Sequence, residues 1–216
     1  GLQYSITAIG SVILQTAVND MGSTYVAAVS AGSKISMFMC CPFDAMGSTM
    51  ATYGGQNVGA RRLDRVDQGL KACIKMGIIY ALVALAFSIV FGKQLALLFV
   101  KKEQIELIGY IYEFVVINAA FYIFLALVNI VRFMIQGLGY STFAILAGIC
   151  EMIARSVAGF VLVPHFGFIC VSLGSPLAWV CADLFLIPAY LWVMKQLRRK
   201  FGENKISRAK SATATI

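Results

Sequence analysis

Six long apolar stretches, separated by short polar segments, run through this sequence. A helix needs about 20 mostly apolar residues to cross a hydrocarbon core about 30 Å thick. All but the first stretch reach that length, and we expect the first to be clipped at its start. The pattern therefore predicts an all-α membrane protein with six transmembrane helices. The approximate ranges of the stretches are 3–18, 24–53, 76–100, 105–131, 143–163 and 171–194.

The composition also indicates a membrane protein. Hydrophobic residues make up 60% of the chain and charged residues 13%, whereas soluble domains carry about 25% charged residues. A soluble domain of 216 residues has no core large enough to hide six such faces. The sequence begins Gly-Leu-Gln without a signal-peptide pattern, so we expect the true N-terminus to lie upstream.

The net charge of +8 is sorted to one side of the predicted bundle. Basic residues cluster between the second and third stretches and after the sixth, and with six spans both regions face the same side. By the positive-inside rule that side is cytoplasmic, and so is the N-terminus of this segment. The basic excess is thus a topology signal of a multi-pass protein in the plasma membrane, and it predicts no nucleic-acid partner. The clustered residues are Arg61, Arg62, Arg65, Lys71, Lys75, Lys195, Arg198, Arg199, Lys200, Lys205, Arg208 and Lys210.

Short loops between the stretches predict one compact unit over residues 1–200. Helices joined by short loops lie antiparallel to their neighbours, so the six spans form a single bundle within the lipid bilayer. Residues 201–216 are polar and rich in Lys, Ser, Ala and Thr. We expect them to form a disordered cytoplasmic tail.

Motifs for catalysis, metal binding and cofactor binding are missing from the sequence. It has a single His, no Walker loop, no Gly-x-Ser-x-Gly and no Cys-x-x-Cys among its 6 cysteines. We therefore predict that the protein is not an enzyme and that it has no catalytic residue, no metal site and no cofactor.

Ionisable residues within the apolar stretches are candidates for function, because a charge is costly to desolvate in a membrane. Lys34 and Asp44 lie in the second stretch, where Pro42 removes a backbone hydrogen bond and favours a bend. Either they line a cavity or carry a proton, or they serve packing and hinge motion. Glu113, in the outer part of the fourth stretch, either lines a pathway or reaches the outer interface.

Glu151 and Arg155 are four residues apart in the fifth stretch, so they share a helical face and can pair. We expect this ion pair to be structural and to hold the bundle rigid. Arg132 and Asp183 lie nearer to the ends of their stretches, and Arg132 is expected to snorkel to the interface.

Amides and hydroxyls are frequent in the first stretch. Gln3, Thr7 and Ser11 recur at helical spacing, as do Gln15 and Asn19. Such a helix prefers to face protein or water. We predict that Gln3, Gln15 and Asn19 line a cavity, and hydrogen bonding between helices is the alternative.

One motif and several supporting ones point to a family. The most specific is Tyr-Gly-Gly-Gln-Asn-Val-Gly-Ala over residues 53–60, directly after the second stretch. Supporting motifs are Ala-x-Ser-Ala-Gly-Ser-Lys-Ile at 28–35, Pro-Phe-Asp-Ala-Met-Gly at 42–47, Gln-Gly-Leu-Gly at 136–139, the Glu151 and Arg155 pair, and Trp179. Together they resemble the second half of the multidrug and toxic compound extrusion (MATE) transporters, and the resemblance covers nearly the whole chain.

The resemblance implies the C-terminal six-helix lobe of a twelve-helix secondary transporter, with an N-terminal lobe as its missing partner. Such carriers rock two lobes around a central cavity and expel amphipathic, often cationic small molecules while H+ or Na+ flows inward. Several branches carry carboxylates in the middle of the first and fourth helices of this lobe. The corresponding zones here, 6–15 and 119–129, contain no acid.

Two alternative functions remain open. A lipid-precursor flippase of related fold is expected to have a cavity with more cationic residues than the one Lys34 seen here. A non-transporting membrane scaffold needs no pathway at all. Drug efflux by the full-length gene separates a transporter from a scaffold.

Overall fold

The computed structural model describes the backbone of residues 1–213 and the side chains of residues 1–202. Within this part of the chain the fold is helical, and a single π-helical turn over Ala158–Leu162 joins the sixth α-helix to the seventh. The helices are α1 Leu2–Asn19, α2 Ser23–Gly59, α3 Leu63–Ala96, α4 Ile105–Ala120, α5 Tyr122–Gly137, α6 Ser141–Val157, α7 Val163–Phe166 and α8 Phe168–Thr213.

Each predicted apolar stretch corresponds to one helix or one helical path in the structure. Four helical segments are long and apolar enough to cross a membrane: α2, α3, the path from α6 through α7, and α8. The bent pair formed by α4 and α5 is a fifth candidate. α1 is the sixth member of the bundle, and its 18 residues include amides and hydroxyls. The predicted all-α membrane fold is confirmed.

The connection between α2 and α3 is much shorter than the sequence predicts. α2 continues through the motif at 53–59 and α3 begins at Leu63, so the expected loop from Arg61 to Lys75 is reduced to a tight turn. Arg61 adopts a positive φ of 58° in this turn. The other basic residues lie on the first turns of α3, because polar residues with good helix propensity continue a helix beyond its apolar part.

The fourth apolar stretch is divided into two helices that meet at an angle. α4 ends at Ala120, α5 begins at Tyr122, and their axes differ by 51°. The side-chain amide of Asn118 donates to the backbone oxygen of Phe114 at 2.8 Å and to that of Ser172 in α8 at 3.2 Å. These bonds tie the end of α4 to a neighbouring helix, and they fix the position of the bend.

The bundle is held together mainly by contacts of α2 with α5, of α6 with α8 and of α1 with α6. Two of these contacts are close enough to require glycine. A Cβ at Gly10 of α1 would stand 3.0 Å from the Cα of Met152 in α6, and a Cβ at Gly137 of α5 would overlap the backbone of Ala51 in α2. These approaches fix α1 and α2 against the bundle and leave one side of each helix exposed.

The last helix extends well beyond its membrane-crossing part. α8 contains Pro176 and Pro188 and continues to Thr213. The sequence predicts a disordered tail over 201–216, whereas the backbone is helical up to 213; residues 214–216 lie outside the described residues. Glu, Lys, Arg and Ala, which are good helix formers, are frequent after 202, and no proline interrupts the segment.

Candidate functional site

The polar residues at membrane depth fall into two groups. One is a set of charged side chains buried among α5, α6 and α8, and the other lies along the exposed sides of α1 and α2. We call the first group the buried charge cluster and define it as Arg132, Glu151, Arg155 and Asp183. We call the second group the α1–α2 face and define it as Ser11, Gln15, Asn19, Ser33, Lys34 and Asp44.

The buried charge cluster is centred on Glu151. One carboxylate oxygen accepts a hydrogen bond from Arg132 of α5, and the other accepts one from Arg155 of α6 at 3.4 Å. The side chains of the two arginines are 8% exposed and that of Glu151 is 4% exposed. Two guanidinium groups therefore share one carboxylate, which gives each buried charge a partner and links α5 to α6.

Arg132 is not where the sequence predicts it to be. The expected snorkelling to the interface does not occur, because the side chain is buried against Glu151. The structure does bring Glu151 and Arg155 together, as their spacing on one helix predicts. Arg132 carries no such signal, since it lies on another helix, 19 residues away along the chain.

Asp183 of α8 is the fourth member of the cluster. It is 4% exposed, and neither of its carboxylate oxygens has a hydrogen-bond partner within the described part of the chain. The Nε of Arg132 is likewise unpaired there. The cluster thus contains three buried polar atoms that have no hydrogen-bond partner among the described residues.

Arg155 also lines a cavity of about 140 Å³ that we call the polar cavity. Its other polar lining residues are Ser11 and Gln15 of α1, Ser33 of α2 and Ser175 of α8. The described residues that line it include no carboxylate. Ser11 and Ser33 are exposed, so the cavity opens onto the α1–α2 face. The apolar lining consists of Leu14, Val18, Val29, Phe114 and Val171.

The backbone of α6 changes geometry soon after Arg155. The π-helical turn begins at Ala158, and Gly159 within it packs on α1, where a Cβ would stand 3.6 Å from the Cα of Leu14. Single π turns inside α-helices are frequent at functional sites. Here the turn lies beside α1, next to the wall of the polar cavity.

Asp44 lies on the exposed side of α2 and is linked to α5. Its carboxylate accepts a hydrogen bond from the side-chain amide of Asn129 at 3.0 Å. Asn129 itself is buried. Pro42 lies two residues earlier, inside α2, and does not end the helix. The bond therefore connects the middle of α2 to one half of the bent helix pair.

Lys34 is exposed and lies over an aromatic ring. Its Nζ is 5.8 Å from the centroid of Phe99, which is within the range of a cation–π contact. It forms no ion pair with any residue that the structure describes. Lys34 follows Ser33 along α2, but its side chain lies over Phe99 and does not line the polar cavity.

The remaining predicted residues are not gathered at one place. Gln3 is buried where α1 meets α6, and its backbone oxygen lies near Gly148. Gln15 donates to the side-chain oxygen of Asn19 at 3.1 Å, at the end of α1. Glu113 is half-buried in α4 and has no ion-pair partner up to residue 202. A group of His, Cys, Asp and Glu able to hold a metal is likewise not found among the described residues.

Sequence reasoning missed three residues that complete these sites. Ser33 had a signal, because it directly precedes Lys34 within a recognised motif. Asn129 and Ser175 had none, because each reaches its site from a helix that is distant along the chain. Only the packing of α5 and α8 against α2 and α6 brings them into place.

Comparison with known proteins gives one family and several similar structures. The MatE family model matches residues 1–161. A structure described as the outward-facing conformation of a multidrug resistance MATE family transporter of the MOP superfamily has a TM-score of 0.82 at 19% identity. A crystal structure of MATE in complex with MaL6 has a TM-score of 0.80 at 19% identity. Both alignments cover 92% of this chain and 45% of the other.

A third similar structure is that of a MOP superfamily transporter from Pyrococcus furiosus, which is described as having a binding pocket of reverse polarity that suggests a different function. Its TM-score is 0.72 at 16% identity, with 86% of this chain and 41% of that chain covered. At such identities the likeness shows the fold alone. The chain spans less than half the length of the structures that it matches, and no curated protein matches it.

Proposed function

This chain belongs to the MatE family, and from that membership we propose that it forms one lobe of a secondary transporter in the plasma membrane. The transporter exports amphipathic organic compounds in exchange for H+ or Na+. Because the chain spans 45% of the matched structures, a second six-helix lobe completes the pathway. Two lobes that rock about a shared cavity expose it alternately to the two sides of the membrane.

The α1–α2 face supports this assignment. A helix side that faces lipid is apolar, as on α3, where Leu82, Val83 and Phe87 are exposed. The exposed side of α2 instead carries hydroxyls, Lys34 and Asp44 beside the exposed Met37 and Phe38. A surface of this polarity at membrane depth fits a water-filled pathway or a partner lobe better than lipid.

Coupling to an ion rests on one observation, the exposed Asp44 and its bond to Asn129. When H+ or Na+ binds the carboxylate, the hydrogen bond from Asn129 weakens because its acceptor loses negative charge. The link between α2 and α5 then changes, close to Pro42, where α2 lacks a backbone hydrogen bond. Ion binding can in this way favour one of two conformations of the lobe.

Transport by the full-length protein in liposomes tests this function. We expect an imposed H+ or Na+ gradient to drive export of a fluorescent amphipathic dye, and we expect Asp44→Asn to suppress the gradient-driven rate in a folded protein. Asp20→Asn is the matched control, because Asp20 is an exposed acid beyond the end of α1. Equal rates for Asp44→Asn and the unmodified protein across the neutral pH range would reduce Asp44 to a structural residue.

The requirement for a second lobe has its own test. We expect the reading frame upstream of Gly1 to encode a further six apolar stretches. A start codon within a few residues of Gly1 would contradict a lobe supplied by the same gene.

The orientation is proposed from the charge pattern. The turn between α2 and α3 and the end of α8 face the cytoplasm. In a background without Cys41 and Cys181, which are exposed, Arg62→Cys is expected to react with an impermeant maleimide only after the cells are permeabilised. Asp20→Cys, at the opposite end of α2, is expected to react in intact cells. The reverse pattern would overturn this topology.

A further inference from the structure

We propose that the polar cavity binds the anionic head group of the transported compound, so that amphipathic organic anions are among the substrates. This rests on the proposed function, because it names the substrate class of that pathway. The apolar body of such a compound extends from the cavity onto the α1–α2 face.

The lining of the polar cavity is suited to an oxyanion. Arg155 presents a guanidinium group, Gln15 an amide, and Ser11, Ser33 and Ser175 each a hydroxyl. All of these groups are hydrogen-bond donors. The hydroxyl of Ser11 already donates to the backbone oxygen of Thr7 at 3.2 Å, and the amide of Gln15 donates one hydrogen to Asn19. The donors that remain for a ligand are Arg155, the second amide hydrogen of Gln15, Ser33 and Ser175. A carboxylate or a phosphate accepts several hydrogen bonds at once, and a guanidinium fits its geometry better than an ammonium does. A cationic head group would find no carboxylate among the described lining residues.

The pairing of the arginines behind the cavity leaves Arg155 available to an anion. Glu151 is the ion-pair partner of Arg155, but it also accepts the hydrogen bond from Arg132. Two guanidinium groups therefore compete for one carboxylate. Asp183 does not line the cavity. Its two oxygens form no hydrogen bond to either arginine. The contact between Arg155 and Glu151 is long, at 3.4 Å, which leaves donor capacity of Arg155 for a ligand.

Size and position fit a head group rather than a whole substrate. A cavity of about 150 Å³ accommodates a benzene-sized group, and the polar cavity measures about 140 Å³. It is reached from the exposed Ser11 and Ser33.

The anion and the coupling ion would occupy separate places. Asp44 lies eleven residues beyond Ser33 on α2, which is about 16 Å along a helix. Ser33, which lines the polar cavity, is therefore well separated from Asp44 along α2. An anionic substrate and H+ or Na+ can bind the same lobe without competing for one site.

Binding of benzoate to the purified full-length protein tests the proposal. Benzamide and benzylammonium have nearly the same shape as benzoate but are neutral and positively charged, so they isolate the effect of charge. We expect benzoate to bind at least about tenfold more tightly than either, by calorimetry. Phenyl phosphate is titrated in parallel. If it binds more tightly than benzoate, the site prefers a phosphoryl head group, as a lipid-precursor flippase requires, and the oxyanion assignment stands.

Arg155→Met is the obvious variant, but it also disturbs the buried charge cluster. Ser33→Asp avoids that difficulty, because Ser33 is exposed at the cavity mouth and belongs to no ion pair. It places a negative charge at the mouth, and we expect it to weaken benzoate binding at least about tenfold. Ser5→Asp is the matched control, since Ser5 is also an exposed helical serine, lies outside the cavity lining, and is expected to leave affinity within about twofold.

The proposal is overturned if benzylammonium binds as tightly as benzoate, or if Ser33→Asp and Ser5→Asp weaken benzoate binding equally. Failure of the inference and failure of the proposed function are distinguishable. Gradient-driven export of a cationic dye without benzoate binding refutes the anion site and leaves the transporter. Benzoate binding without gradient-driven export of any test compound refutes coupled transport and leaves the anion site.

Discussion

The buried charge cluster and the α1–α2 face both contain charged side chains at membrane depth, but the charges differ in their partners and in their exposure. In the cluster, Glu151 has two arginine partners and all three side chains are withdrawn from solvent. On the face, Lys34 has no ion-pair partner among the described residues, and Asp44 has only an amide. A charge at membrane depth is therefore not by itself evidence of function. Its partners decide whether it contributes to stability or remains available to a ligand.

Arg155 connects the two regions, because it belongs to the buried charge cluster and also lines the polar cavity that opens onto the α1–α2 face. One side of its guanidinium contacts Glu151, and its side chain also lines the polar cavity. The cluster therefore acts as the support that holds a cavity residue in place. A variant that disturbs the support should lower stability first, whereas a variant at the cavity mouth should affect binding first.

The largest effect is expected from Glu151→Gln. It leaves Arg132 and Arg155 buried without a carboxylate partner, and breaking a buried pair in this way costs roughly 3 to 5 kcal/mol of folding stability. Arg155→Met alone should also lower the folded yield, by a smaller amount, because Glu151 keeps Arg132. Thermal unfolding of the detergent-purified protein, followed by its monodisperse fraction, measures both.

Combined substitutions show whether the three residues act as one unit. Glu151→Gln with Arg155→Met should recover only part of the yield, since Arg132 remains unpaired, and adding Arg132→Met should recover more. Replacing a complete buried ion network by apolar residues is often nearly neutral. No recovery in the triple variant would show that these residues do not form a network. Recovery of yield with transport still lost would show that the charges serve the transport cycle.

A smaller effect is expected at Asn129. This residue is buried, as the residues of the charge cluster are, but its partner Asp44 is exposed on the α1–α2 face. Asn129→Ala removes a hydrogen bond to a charged group, and we expect it to lower the free energy of unfolding by about 1.5 kcal/mol. Thermal unfolding beside Asp44→Asn checks this. Asp44→Asn should cost less, because an amide oxygen still accepts the bond. A larger loss of unfolding free energy for Asp44→Asn than for Asn129→Ala would mean that Asp44 contributes mainly to folding stability.

The sequence predicts the class of the fold and one local pair, but not the network. Apolar length and helical spacing are local properties, and they were sufficient for the six spans and for Glu151 with Arg155. Burial of Arg132 depends on how α5 meets α6, which no local pattern encodes. The same limit explains Asn129 and Ser175. The bend between α4 and α5 also lacks a proline or glycine at its break, so its position was not predictable from residue type.

A third region, between α3 and α8, contains an ion pair that is partly exposed. Asp67 of α3 accepts hydrogen bonds from Tyr190 and Arg198 of α8, each at 2.7 Å. The side chain of Asp67 is 29% exposed and that of Arg198 is 62% exposed. We expect Arg198→Gln to cost about 0.2 to 1 kcal/mol, as for exposed ion pairs. Urea unfolding measures it, with Arg199→Gln as the control. A loss of stability as large as that of Glu151→Gln would mean that burial does not determine how much an ion pair contributes to stability.

The smallest effect on stability is expected at Lys34. It forms no ion pair among the described residues, and its Nζ lies 5.8 Å from the centroid of the Phe99 ring. This distance is close to the outer limit of a cation–π contact, about 6 Å, so we expect the contact to contribute less than about 0.5 kcal/mol. Lys34→Gln should therefore leave thermal unfolding almost unchanged. Because Lys34 follows Ser33 of the cavity lining along α2, we expect its charge to act on a bound anion through space. The same variant should therefore weaken benzoate binding by a few-fold, about 0.5 to 1 kcal/mol. Lys101→Gln, which removes an exposed positive charge that does not line the cavity, serves as the control. Unchanged benzoate affinity together with a marked loss of stability would mean that Lys34 contributes to folding stability, as Glu151 does, and not to ligand binding.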